Sequence, residues 1–184
     1  MSDTEPKTKK TKVWQPPSHT MNIVEAVVKE NEADGFHALV DAKLTVLQGL
    51  GDRGEEMMDA LGVHTVRELA DWKYGKIAQA IVVLAALEVK GKRPGTCALN
   101  IDFAVDKEHE QKSLKEILAL PVDAIQGLAP RAAELLKVHH VTTVEKLGKW
   151  KYLEWAQAIV TLVDFEETKS PEEKKAERML NKLS

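Results

Sequence analysis

Along the chain, apolar residues recur at helical spacing in blocks cut by short turns bearing glycine or proline, a pattern that predicts an all-α fold. In the first block Ile23, Val24, Val27 and Val28 form one stripe with Glu25, Lys29 and Glu30 opposite; a helix should run from Met21 until Asp34-Gly35 stops it. A shorter helix is expected over residues 53–61, capped by Asp52 and ended by Gly62. Thr65, with Glu68 three residues on, has the spacing of a capping box at the start of another. The helix over residues 74–88 puts Ile77, Ala80, Ile81, Leu84 and Leu87 on one face, while Val82, Val83 and Ala85 make it apolar almost all round. Such a helix needs cover on more than one side.

The pattern then changes. Lys90-Gly91-Lys92-Arg93-Pro94-Gly95 is turn chemistry, after which Leu99, Ile101, Phe103 and Val105 alternate with Ala98, Asn100, Asp102 and Ala104. A period of two predicts an extended segment lying along the helical core. Helical spacing returns at Leu114. Pro121 opens a short helix, Pro130 suits the first position of the next, and Trp155, Ala158, Ile159 and Leu162 mark a long one. Ser170-Pro171-Glu172-Glu173 opens a last helix to about residue 183, whose stripe Ala176, Met179, Leu180 and Leu183 is a candidate docking face for a partner.

Two of these blocks are one block written twice. Residues 48–84 recur without a gap at an offset of 78, and 18 of the 37 aligned positions are identical, including Trp72-Lys73-Tyr74 with Trp150-Lys151-Tyr152 and 78–82 with 156–160. A single module buries too little surface to stand well alone, so the two should superpose and share a core, with their final helices in contact. The first helical block, 21–34, lies outside this repeat and should pack on it. Boundaries follow at 1–20 (a basic, proline-bearing tail expected to be disordered, with Trp14 able to dock), 21–90, 91–113, 114–168 and 169–184.

The repeat also carries a resemblance. Leu47-x-Gly49-Leu50-Gly51, then Met57, Leu61-Gly62-Val63-x-Thr65-Val66 and Leu69, resembles a helix-hairpin-helix module, over about residues 36–87 and again over 114–165. In the second copy Ala129 replaces the second hairpin glycine and His140 the glycine before the valine. The resemblance implies a glycine hairpin between two helices. It implies two kinds of role, since members of that family bind nucleic acid or act as structural and protein-contact domains.

Composition narrows the roles. The net charge is −3, so no global basic field draws the chain onto a polyanion. Cys97 is alone, which excludes an internal disulfide and a cysteine-based zinc site and fits a reducing compartment. No apolar run is long enough to span a bilayer and no secretory signal is visible, so a soluble intracellular protein without membrane contact is expected.

Candidate chemistry is sparse. The resemblance makes the second hairpin a possible phosphate site, through Gly127, Leu128 and Ala129 with Arg131 and Lys137 close in sequence. The first hairpin is poorer, because Asp52, Glu55, Glu56 and Asp59 stand against Arg53 alone and would repel an anion. The Trp-Lys-Tyr triplets could stack bases, but their shared place between two helices favours core anchors: Trp72, Tyr74, Trp150, Tyr152 and Trp155, with Lys73 and Lys151 reaching outward. His139 and His140 are adjacent and diverge by about 100° on a helix, so they cannot share a metal as an i, i+4 pair does. Neither a cofactor motif nor a catalytic constellation stands out. The sequence therefore points first to a non-catalytic helical adaptor or structural subunit acting through contacts with a protein partner. Weak, sequence-independent nucleic-acid binding through the second hairpin comes second, and a small-molecule enzyme third.

Overall fold

A computed structural model describes residues 19–182. The expectations for the tail before residue 19, Trp14 included, and for Leu183 lie outside the described residues. The fold is all-α, and its described residues fall into two units, 23–164 and the stretches 19–22 with 165–182.

The helix expected from Met21 is not formed. Val27 pairs instead with Leu47 in an isolated antiparallel bridge, closed by Val28 N–H to the Val46 carbonyl (2.9 Å) and Gln48 N–H to the Ala26 carbonyl (2.9 Å). The β-branched residues favour this extended backbone, and a 3-10 turn, Lys29–Asn31, follows it. Only Val27 of the four-residue stripe is fully buried, and Val24 faces solvent. The extended segment expected at Leu99–Val105 fares similarly. Val105 bridges to Ile125, with Asp106 N–H to Ala124 and Gln126 N–H to Ala104, both 3.0 Å. Leu99 and Phe103 are exposed rather than laid on the core. The two segments are one motif, 78 residues apart, and each leads into a 3-10 turn, here Lys107–His109.

Four helices follow in the first half: α1 (Phe36–Val40), α2 (Gly51–Asp59), α3 (Val66–Asp71) and α4 (Lys73–Ala85). The second half has α5 (Leu114–Leu118), α6 (Pro130–Leu136), α7 (Val144–Gly148) and α8 (Lys151–Leu162). Helix α2 begins two residues earlier than expected. Leu50 precedes it without a side-chain cap, so Asp52 sits inside the first turn as a partner of the helix dipole. Its C-terminus closes by Gly62 (φ 75°), with Val63 N–H reaching back to the Met58 carbonyl at 2.9 Å. The same closure after α6 uses His140 at φ 58°, with Val141 N–H to Leu136 at 3.1 Å. Ala129 does not need the positive φ of Gly51: it is extended (φ −62°, ψ 152°) and feeds Pro130 directly into α6.

The halves are exchanged rather than stacked. Helix α4 packs on α5 and α7 of the second half, and α8 packs on α1 and α3 of the first. This reciprocity brings equivalent positions face to face: the Gln157 amide donates to Gln79 Oε1 at 2.6 Å, and Leu153 fills the space over Gly75, where a Cβ would lie 2.6 Å from its Cδ2. Leu39, Leu44, Leu47, Met58 and Leu69 from one half and Ile117, Ile125, Leu136, Leu147 and Leu153 from the other are fully buried in one core. Each such side chain contributes roughly 1.5–3 kcal/mol on burial. The cover expected for α4 is only partial, since its outer face remains in solvent.

In the other unit, α9 (Pro171–Leu180) is opened by a capping box between Ser170 and Glu173. Its charges pair locally, Lys169 with Glu177 (2.7 Å) and Lys174 with Glu167 (2.5 Å), and Ala176, Met179 and Leu180 are exposed.

Candidate functional site

The exchange places a Lys-Tyr pair from each half on the hairpin of the other. Tyr74 Oη donates to the Gly127 carbonyl at 2.6 Å, and Lys73 Nζ approaches the same glycine. Tyr152 Oη and Lys151 Nζ stand in the equivalent place at Gly49. Both glycines are left-handed (φ 88° and 87°), which only glycine adopts without strain.

Of the residues considered for phosphate, Gly127, Leu128 and Ala129 border a groove of ≈ 560 Å³ whose other walls carry Asp106, Glu108 and Asp123. Those carboxylates come from the bridge segment and the turn before the hairpin, and they oppose an incoming anion. Pro130, at the first position of α6, has no N–H to offer. Arg131 is exposed beside the hairpin, while Lys137 lies about 9 Å farther along the helix axis and pairs with Glu134. Neither Arg131 nor Lys137 lines the groove that Gly127, Leu128 and Ala129 border.

The aromatic residues are packed. Trp72 and Trp150 are 8% and 6% exposed, Tyr152 is buried, and Tyr74 and Trp155 are half-buried. They meet edge to face: Trp72 with Tyr74 at 5.6 Å, Trp150 with Tyr152 at 5.4 Å, and Tyr152 with Trp155 at 5.6 Å. Burial of Trp150 and Tyr152 leaves little ring surface on which a base could stack. Lys73 lies 4.7 Å over the Tyr74 ring, and Lys151 lies 4.8 Å over Tyr152 and 4.9 Å over Trp155. Both ammonium groups thus rest over ring faces while remaining at the surface.

A second groove, of ≈ 610 Å³, opens on the second half between the turn after α6 and the start of α8. His139, His140, Lys146, Lys149 and Lys151 line it, with Glu145 as its one carboxylate and Trp150 and Tyr152 as its floor. Lys149 pairs with Glu145, and Lys146 Nζ lies 3.2 Å from Thr142 Oγ1. His139 packs against Trp150 (6.0 Å) and Tyr152 (5.8 Å), and its Nε2 is buried against Gly54 with no hydrogen-bond partner. Burial holds the His139 imidazole below the ordinary histidine range, and His140 and Lys151 add to the effect.

Two features of the surface are not apparent from the motifs. One is this groove. The other is the outer face of α4, where Val83, Leu84 and Leu87 are 62%, 51% and 74% exposed. The signal for the latter was present, since the sequence makes the helix apolar all round. Among the described residues no group of three or more His, Cys, Asp or Glu side chains is placed to hold a metal, and no helix is long and apolar enough to cross a membrane. No protein family, curated protein or solved structure matches the chain.

Proposed function

We propose that the chain is a non-catalytic adaptor that takes an amphipathic helix of a protein partner on the outer face of α4. The observation that carries this reading is the exposed stripe. Lys73, Lys76, Ala80, Val83 and Leu84 fall within about 100° of the helix circumference, with Leu87 in the turn after it. Three large apolar side chains in solvent at i, i+1 and i+4 match the anchor spacing of a helix-on-helix contact, and Ala80 leaves room for close approach. Lysines stand at both ends, Lys73 and Lys76 before the apolar residues and Lys90 and Lys92 after them. The partner helix that complements them has an apolar ridge of about three turns with carboxylates at its ends. The corresponding face of α8 carries Glu154 for Lys76 and Thr161 for Val83, so it is a weaker version of the same surface.

A photo-cross-linking residue at position 87 of the full chain tests this in native cells. The expected products join position 87 to an acid-flanked amphipathic segment of a different protein, and they disappear with Leu84→Asp. Products formed equally from position 154, or only between copies of this chain, overturn it. Nucleic-acid binding at the second hairpin has less support, because Asp106, Glu108 and Asp123 border that hairpin.

A further inference from the structure

We infer that the groove lined by His139, His140, Lys146, Lys149 and Lys151 is a recognition site for a phosphate monoester carried by a protein partner. The identity of the carrier rests on the adaptor reading; the anion site itself rests on independent observations.

The first observation is a comparison of equivalent positions. Glu145, Lys146, Lys149 and Lys151 of the second half correspond to Arg67, Glu68, Asp71 and Lys73 of the first. Three lysines against one glutamate leave the groove at +2, whereas one arginine and one lysine against two acids leave its counterpart at zero. Packing therefore does not require positive charge here, because the same backbone is built with the opposite signs. In the first half each acid has a partner, Asp71 on Lys76 (2.6 Å) and Glu68 in the capping box of Thr65, and Arg67 pairs with Asp41 (2.8 Å); in the second the one acid, Glu145, pairs with Lys149 and leaves two lysines in excess.

The second observation is what Lys146 displaces. Glu68 accepts hydrogen bonds from the backbone N–H groups of His64 (2.6 Å) and Thr65 (3.2 Å), completing the cap of α3. Lys146 holds the same position in α7 and cannot accept them, so only the Thr143 side chain caps that helix. A residue that gives up these capping bonds, in a groove with two more lysines, is placed for something outside the chain.

The third observation is the shape of the field. The cations line one open groove rather than a track, the whole chain is net negative, and Lys151 and His139 lie against Gly49 and Gly54 of the first half, where α2 carries Asp52, Glu55 and Glu56. A compact dianion gains from such a point of charge, whereas an extended polyanion meets the surrounding acids. His140, exposed in the lining of the groove, supplies a further donor, while the Nε2 of His139 stays buried against Gly54.

The test uses the full chain and a short alanine peptide with a central phosphoserine. Binding is followed by anisotropy and by the imidazole NMR signals of His139 and His140. The expected result is saturable binding that shifts both histidines, is absent for the unphosphorylated peptide, and weakens about tenfold or more with Lys146→Glu or Lys149→Glu. Lys146→Glu restores the capping box, so its melting temperature should rise while binding falls; loss of binding then cannot be loss of fold. Arg67→Gln, in the counterpart groove, should leave binding unchanged. Four results overturn the inference: no preference for the phosphopeptide, equal loss with Arg67→Gln, tighter binding of a single-stranded oligonucleotide through the same lysines, or tighter binding of anionic-lipid vesicles. None of these alters cross-linking from position 87, so the adaptor reading stands or falls separately.

Discussion

The two halves of this chain solve the same packing problem with different side chains at the places where they meet. Gln79 and Gln157 are identical and hydrogen-bond to each other, but Gly75 and Leu153, one helical turn earlier, have diverged into a hole and a knob. Two leucines there would collide and two glycines would leave a void. Divergence at that point therefore improves packing. The groove lysines are a different kind of divergence. Lys146 loses the capping bonds that Glu68 keeps, and its Nζ meets Thr142 Oγ1 at 3.2 Å instead. Comparing equivalent positions separates changes that serve the core from changes that serve the surface.

The largest effect expected from breaking the comparison is at the tryptophans. Trp72→Ala and Trp150→Ala should each cost about 3–5 kcal/mol, the range for truncating a buried aromatic side chain. Denaturant melts check both the size and the equality of the two losses. A loss below about 1 kcal/mol for either would show that the halves do not use the residue alike.

Next is the Gly75–Leu153 pair. Gly75→Leu alone forces two side chains into space for one, and overpacking of this kind costs about 1–3 kcal/mol. The double variant Gly75→Leu, Leu153→Gly should recover most of that loss, because it only exchanges knob and hole. A double-mutant cycle measures the coupling. If the double variant is no more stable than the additive sum of the singles, the two positions do not meet.

A smaller effect, of opposite sign, is expected at His140. It occupies the left-handed conformation that Gly62 holds in the first half, at a cost of about 1 kcal/mol for a side chain with a Cβ. His140→Gly should therefore stabilise the chain by roughly that amount in thermal melts.

The sequence announced the all-α class because helical spacing is a local property of the chain. It did not announce the first motif of each half. Residues 22–30 and 100–108 share the pattern Asn-Ile-x-x-Ala-Val-x-Lys-Glu, yet periodicity reads one as a helix and the other as an extended segment. Four apolar residues are too few to fix a period, and the bridge partners Leu47 and Ile125 lie about 20 residues away. Charge around the second hairpin reads differently in sequence and in space for a related reason. Counting charge near it in sequence found Arg131 and Lys137, whereas its groove in space is lined by Asp106, Glu108 and Asp123. The basic groove could have been found by aligning the repeat and marking charge reversals, since Glu68 against Lys146 and Asp71 against Lys149 are visible there.

The smallest predicted effect is also the one most specific to the second half. His139 stands where the first half has Leu61, and its Nε2 is buried against Gly54 with no acceptor. Burial, then His140 and Lys151, hold its folded-state pKa below the unfolded value of about 6.5. Above that value the imidazole is neutral in both states and its packing contribution is fully present. As pH falls through about 6.5, the unfolded chain takes up the proton first and stability declines, until the folded-state pKa is reached and the loss levels off. His139→Leu, which copies the first half, should remove that part of the decline while leaving stability at pH 8 equal or higher. Paired denaturant titrations of wild type and His139→Leu between pH 8 and pH 5 measure the difference. Parallel curves across that window would mean that His139 does not titrate with folding. It would then fill space as Leu61 does.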